Sequence, residues 1–223
     1  CALSPDGATV ALAAAGSHEV VLLDQVAALP FVSFGGPGDH AEPAVRAKMR
    51  RLRVDGAPTA CRFTPDGRRV VVAERFGNRL VVLDRASGAT VRTIALGGPA
   101  APSPARRGER LFHDASRSFG SWSSCATCHV EGHTGGGSFD TLNDGGYGKP
   151  KKTPSLRGVT GTGPWTWHGW QTSLEMAVSE SFTKSMQGPP VTDAQTADVV
   201  AYLGTLTWPK SPHPRGAAAV RGE

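Results

Sequence analysis

Long apolar runs are missing from the 223 residues, and none approaches the roughly 20 needed to cross a bilayer, so no transmembrane segment is expected. A leader with basic, apolar and small-residue zones is missing too. Because Cys1 already lies inside a strand pattern, the first residue is expected to be a cut in a longer chain, and export stays open. Strong charge of one sign is also lacking. The net charge of +5 divides as 12 basic against 9 acidic residues up to position 100 and 12 against 10 beyond it, which argues against a nucleic-acid partner. The dense basic cluster of Arg46, Lys48, Arg50, Arg51 and Arg53 has no interleaved aromatics. It reads as a solvated loop or edge strand, with a docking patch for an acidic redox partner as the alternative. Neither paired carboxylates nor a Ser/His/Asp grouping stands out, which leaves a hydrolase or nuclease without support. What is present, 39% hydrophobic and 19% charged residues, suits a folded chain of one large or two small domains.

The first hundred residues contain a repeat. Cys1 to Asp24 and Cys61 to Asp84 align without gaps at an offset of 60, with nine of 24 positions identical, including Pro5/Pro65, Asp6/Asp66, Gly7/Gly67 and Asp24/Asp84. Each copy predicts a short strand, a Pro-Asp-Gly turn, a second apolar strand, a Gly-containing turn and a third strand ending in Asp. A fourth strand follows, around Leu52 to Gly56 in one copy and Ile94 to Gly98 in the other, and a Gly/Pro-rich insertion around Phe34 to Lys48 accounts for the longer period. Four short antiparallel strands per repeat is the pattern of a propeller blade. Cys1 and Cys61 occupy equivalent positions and are expected to be buried structural thiols.

Residues 124 to 130 read SCATCHV, a Cys-x-x-Cys-His motif, which is the pattern of c-type haem attachment. On a helical turn Cys125, Cys128 and His129 are i, i+3 and i+4 and share one face, so two thiols add to the two porphyrin vinyl groups while the imidazole faces the iron. A zinc site would need further ligands, and His133 alone completes one poorly. A redox dithiol would need a βαβ setting that is not there. One covalent haem c with its iron is therefore the expected cofactor.

Helical signals flank the motif. Ser103-Pro104 opens a helix to Phe112 with Gly108 one turn before its end, and Thr192 with Gln195 forms a capping box ahead of a helix carrying Val199, Leu203 and Leu206 on one face and stopping before Pro209. A small residue on the first helix and Tyr202 on the last would let the two cross closely. Thr172 with Glu175 predicts a third helix, striped by Leu174, Val178 and Phe182. Met186 follows in a loop before the last helix, where the class I cytochromes c that this order of elements resembles place a distal methionine, and the resemblance implies it as the favoured sixth iron ligand. A Met186 that only fills a loop or core gap, His168 in TWHGW, the off-stripe Met176 and an open position are the alternatives. Met/His ligation raises the potential and closes the iron, whereas an open position admits peroxide or oxygen chemistry.

The strands of residues 1–100 resemble YVTN-type bacterial β-propeller repeats, with their SPDG-like turns and hydrophobic-Asp strand ends. The pieces RRGERLFHDAS, SCATCHVEGHTGG, LNDGGYGKPKKTPSLRGV, GPWTWHGWQTSLEMAV and VVAYLGTLTWPKSP resemble the bacterial di-haem cytochrome c peroxidase superfamily, in particular members with propeller repeats ahead of the cytochrome. The order helix, haem motif, long loop, helix also resembles class I cytochromes c. These resemblances imply a multidomain chain: a partial β-propeller of two four-stranded blades at 1–100, a mainly α-helical cytochrome domain at 101–212, and at 213–223 the start of a second, suggested by AVRGE echoing ARRGE. They imply Cys125 and Cys128 as haem anchors, His129 as proximal ligand, and Thr153 to Gly158 along the haem edge. Arg157 is implied as a propionate partner, with a plain surface arginine as the alternative. Trp165, Trp167 and Trp170 are implied as porphyrin shields, with ordinary aromatic packing as the alternative. The expected function is periplasmic electron transfer to or from a redox partner protein or a second haem domain. The alternatives are a di-haem peroxidase- or oxidase-like enzyme and a propeller interaction module with a structural haem.

Overall fold

The computed structural model describes residues 1–25, 46–99, 101–210 and 216. Most of the Gly/Pro-rich insertion and nearly all of 213–223, with the AVRGE echo, lie outside the described residues. Eight strands come first, in two antiparallel meanders: β1 (Ala2–Leu3), β2 (Thr9–Ala14), β3 (Glu19–Asp24) and β4 (Met49–Arg53), then β5 (Pro58–Phe63), β6 (Arg69–Glu74), β7 (Arg79–Asp84) and β8 (Thr90–Ala95). Each repeat copy thus makes a four-stranded sheet. The fourth strands start earlier than expected and end at Arg53 and Ala95, so that Leu52 pairs with Val20 and Ile94 with Leu80.

The repeated turn has the same chemistry twice. The side chain of Asp6 accepts from the Ala8 amide at 3.0 Å and that of Asp66 from the Arg68 amide at 3.1 Å, which reverses the chain two residues on. Gly7 and Gly67 follow at φ +67° and +68°, a backbone region costly for any residue with a Cβ. A core of Ala11, Val20, Leu22, Val54, Cys61, Val70, Val72, Val81 and Leu83 joins the two sheets.

Two expectations need correction here. Cys61 is buried and its thiol donates to the Ala11 carbonyl at 3.4 Å, but Cys1 is exposed and unpaired. The difference is one of neighbours: β5 lies against β1, β2 and β3 of the preceding sheet, whereas no sheet precedes β1 among the described residues. The basic cluster is in part an edge strand, β4, yet Arg50 is not idle. It binds Asp24 at 2.9 Å and donates to the carbonyls of Arg85 and Ala86 in the turn after β7.

The second half is helical: α1 (Pro104–Phe112), α2 (Cys125–Cys128), α3 (Leu174–Glu180) and α4 (Asp193–Leu203), with a two-stranded ribbon of β9 (Ser138–Phe139) and β10 (Lys151–Lys152). Ser103 caps α1, and Thr192 with Gln195 forms the expected capping box on α4. Ser173 rather than Thr172 caps α3, since its side chain reaches the Met176 amide. Helix α4 ends at Leu203, and Leu206 joins the core from the turn beyond. After α3 the chain widens into a π turn over Ser181–Ser185, with the Met186 amide on the Ser181 carbonyl at 2.9 Å. The wider turn keeps Phe182 and Met186 facing inward together, at 0% and 6% exposure.

Helices α1 and α4 cross at Gly108. A Cβ there would stand 1.8 Å from the Asp198 carbonyl oxygen and 2.8 Å from the Val199 Cα. Arg107 clasps Asp198 with two hydrogen bonds of 2.7 and 2.6 Å beside the crossing, and Tyr202 rests on Phe112 with ring centroids 5.1 Å apart. The Gly108→Ala substitution tests this contact. Helix propensity alone favours Ala by about 1 kcal/mol, but the added methyl meets backbone that has nowhere to go. A net loss of about 1–3 kcal/mol is expected, seen as a lower melting temperature. An unchanged or higher melting temperature would mean that the helices do not approach this closely.

Candidate functional site

Short helix α2 begins after Ser124, whose backbone amide donates to Thr127 Oγ1 at 2.9 Å. The single turn carries Cys125 at its start and Cys128 at its end, with His129 just beyond. All three line one cavity of about 500 Å³, within the usual range of about 300–1,000 Å³ for ligand pockets. Its dry wall comes from Phe112 on α1, Leu174, Val178 and Phe182 on and after α3, and Val199 and Leu203 on α4. Met186 stands in the same wall, with its Sδ 3.8 Å from Cys125 Sγ. The Met186 carbonyl takes the Phe119 amide at 3.0 Å, which ties its loop to the segment leading into α2.

The imidazole of His129 is oriented. Its Nδ1 lies 2.9 Å from the Pro154 carbonyl oxygen, an acceptor only, so Nδ1 carries the proton and Nε2 keeps its lone pair for a metal. Burial lowers the His129 pKa, against the opposing pull of the Pro154 carbonyl, which favours the neutral ring. Burial pushes the Cys125 thiol up to about 12 and also raises Cys128. Both thiols therefore stay protonated near neutral pH, unlike the thiolate of a reactive dithiol. His133, the sequence candidate for a fourth zinc ligand, turns to Trp208 at 5.8 Å. Two protonated thiols and an oriented imidazole on one face of a mostly apolar cavity fit a porphyrin attached through its vinyl groups, with iron on His129.

The remaining sequence candidates are distributed unevenly. Trp165, Trp167, His168 and Trp170 all line the cavity. Trp165 is half-buried and donates to the Val159 carbonyl at 2.9 Å, whereas Trp167 is 60% exposed and donates to the Lys152 carbonyl at 2.7 Å. His168 stacks on Trp170 at 4.4 Å near the mouth. Of the 153–158 segment, Thr153 to Leu156 line the cavity, while Arg157 and Gly158 do not. Met176 lies on the outer face of α3, 44% exposed and away from this cavity. Sequence reasoning missed the Pro154 carbonyl, because a backbone acceptor leaves no side-chain signature. It also missed Lys151 and Asp144, paired at 2.6 Å in the wall, since within LNDGGYGKPKKTPSLRGV nothing sets this lysine apart from Lys149 and Lys152.

Residues 105–207 match the family model for cytochrome c. That match accounts for the covalently attached haem c and its iron. No curated protein matches the chain. Solved structures that match include a chain of Kuenenia stuttgartiensis hydrazine synthase, 21% identical over 43% of this chain and 22% of that one, with a TM-score of 0.32. Another is a chain of Kuenenia stuttgartiensis hydrazine synthase pressurised with 20 bar xenon, 26% identical over 54% of this chain and 41% of that one, with a TM-score of 0.45. The chain thus spans less than half the length of either.

After export and maturation the chain is expected to exceed its polypeptide mass by one haem and to show the pyridine haemochrome of a thioether-linked porphyrin. Cys125→Ala or Cys128→Ala leaves one thioether and displaces that spectrum, and the double substitution leaves the bare mass after denaturation. A bare mass for the unaltered chain would overturn covalent attachment.

Proposed function

We propose, taking the cytochrome c domain at residues 105–207 as the premise, that the chain is the electron-transferring haem part of a larger periplasmic propeller-cytochrome redox protein. One observation carries the reading: the oriented His129 and the buried Met186 stand in the wall of the same mostly apolar cavity. When bound, haem c supplies a one-electron iron couple whose potential depends on its axial ligands and on burial. Cys125 and Cys128 anchor it, and His129 offers Nε2 while the Pro154 carbonyl holds the ring. Met186 would offer its thioether to the same iron, which would give a closed, high-potential site. Phe112, Phe182, Val199 and Leu203 keep water from the iron's surroundings. No helix among the described residues is long and apolar enough to cross a membrane. The two meander sheets, with one core shared between them, support the blade reading of the first hundred residues. A redox partner protein or a second haem domain is the proposed electron partner.

One observation favours a second reading, a di-haem peroxidase- or oxidase-like enzyme: His168 also stands in the cavity wall, exposed toward its mouth. Ligand binding separates the two. The reduced chain is expected to take up carbon monoxide slowly or not at all, while Met186→Ala binds it promptly and has a lower midpoint potential. Prompt binding by the unaltered chain would remove the closed-site reading and favour the enzyme. An iron that mild reductants cannot cycle would instead leave the haem a structural role.

A further inference from the structure

The cavity is not apolar all round. Opposite in character to the wall of Phe112, Phe182 and Leu203, it has a polar side of Asn143, Asp144, Lys151 and Lys152. A haem carries two propionate carboxylates, and a carboxylate taken from water needs a cation or several donors. Among the described residues lining the cavity, the permanently cationic side chains are Lys151 and Lys152, which are adjacent on β10 and so point to opposite faces of the ribbon. Lys152 is exposed. The Lys151 side chain is only 22% exposed, with Nζ 2.6 Å from Asp144 Oδ2 and 2.8 Å from the Lys149 carbonyl oxygen. An ammonium has three N–H donors, and these two contacts leave one over.

Asp144 explains why the lysine stays there. Its side chain is 3% exposed, and Lys151 draws its pKa below the ordinary carboxylate value. The Asp144 Oδ1 and Asn143 Oδ1 atoms are buried without a hydrogen-bond partner, so the pair is under-satisfied as it stands. The same short stretch fixes the haem ligand, because Pro154, three residues on, holds His129. Lys151 is therefore placed by the segment that aims the imidazole, whereas Arg157 stands outside the cavity wall.

We propose that Lys151, positioned by Asp144, anchors a haem propionate and sets the charge felt by the iron, in the role that the sequence suggested for Arg157. The inference rests on the haem reading above, and the test keeps the two apart. The full matured chain and its Lys151→Met, Lys151→Arg, Asp144→Asn and Arg157→Gln variants are compared for haem content and midpoint potential. Removing the lysine charge disfavours the electron-rich reduced haem, so Lys151→Met lowers the potential, by up to about 59 mV for a tenfold change in a one-electron equilibrium. Asp144→Asn leaves the lysine uncompensated and raises it. Lys151→Arg and Arg157→Gln stay near the unaltered value. A purely structural pair would move both charge variants in one direction. That result, or a fully loaded Lys151→Met chain with unchanged potential, overturns the anchor and leaves the haem reading intact. If Lys151→Met does not load haem, Asp144→Asn decides alone: an unchanged or lower potential refutes the proposal. Absence of haem from the unaltered chain refutes the haem reading itself.

Discussion

The close approach of α1 and α4 at Gly108 is the constraint on which the rest of the molecule depends. Phe112, Val199 and Leu203, which flank that crossing, form the dry end of the cavity. The opposite side of α1 faces the sheets. Glu109 pairs with Arg75 and with Arg106, and Arg110 donates to the Asp55 carbonyl at 3.0 Å. One nine-residue helix therefore seals the site with positions 108 and 112 and fastens the two halves together with 106, 109 and 110. The fastening continues past its end, where the Ala115 amide donates to the Gly16 carbonyl at 2.9 Å. Asp114 meets the buried His18 at 3.1 Å, and the other ring nitrogen of His18 accepts from the Ala57 amide. An Nδ1 accepting from an amide leaves Nε2 as the donor to Asp114. A junction made of such buried, mutually satisfied groups holds orientation, since opening it would strand several of them at once.

The two repeat copies show how far a shared sequence determines structure. Their turns are the same because both need an Asp acceptor followed by a left-handed glycine. Equivalent positions outside the turns diverge with their neighbours. Asp24 takes the Thr9 hydroxyl at 2.7 Å and Arg50 from the next strand, while Asp84 takes the amide and hydroxyl of Ser87 in its own turn. His18 aligns with Asn78, yet only His18 reaches the helical half. The 60-residue period thus specifies the sheets, and departures from it specify what each sheet touches.

Legibility followed the same division. Periodicity and punctuation made the strands, the Ser103 and Thr192 caps and the stripe of Leu174, Val178 and Phe182 readable, because those features depend on local geometry. The Cys125, Cys128 and His129 triad was readable for the same reason: its spacing is one helical turn. The burial of Met186 could be anticipated from its place in the chain, but not the π turn that turns it inward, which has no residue signature. Arg157 drew attention through its charge and its place in TPSLRG, although a turn carries it out of the cavity wall. Lys151 was indistinguishable from Lys149 and Lys152 in the sequence, and only the ribbon register, Lys151 opposite Phe139, sorts them.

That sorting shows why a five-residue motif is not yet a site. The imidazole of the motif is held by the strap of residues 151–158. Lys151 meets Asp144, the Lys152 carbonyl holds Trp167, the Thr153 amide binds Gly137, and the Pro154 carbonyl aims His129. The Leu156 amide then reaches the Gly132 carbonyl at 3.1 Å and the Gly158 amide the Leu206 carbonyl at 2.7 Å, which links the loop after the motif to the end of α4. Most of these contacts use backbone groups, so the strap can vary in side chains and still hold the imidazole. Its side-chain freedom is spent at one place, where the charge of Lys151 is brought against the cavity. The cysteines and the imidazole are therefore local to Cys125–His129, whereas the orientation of the imidazole is supplied from more than twenty residues away, by a segment tied through Gly158 to the turn after α4.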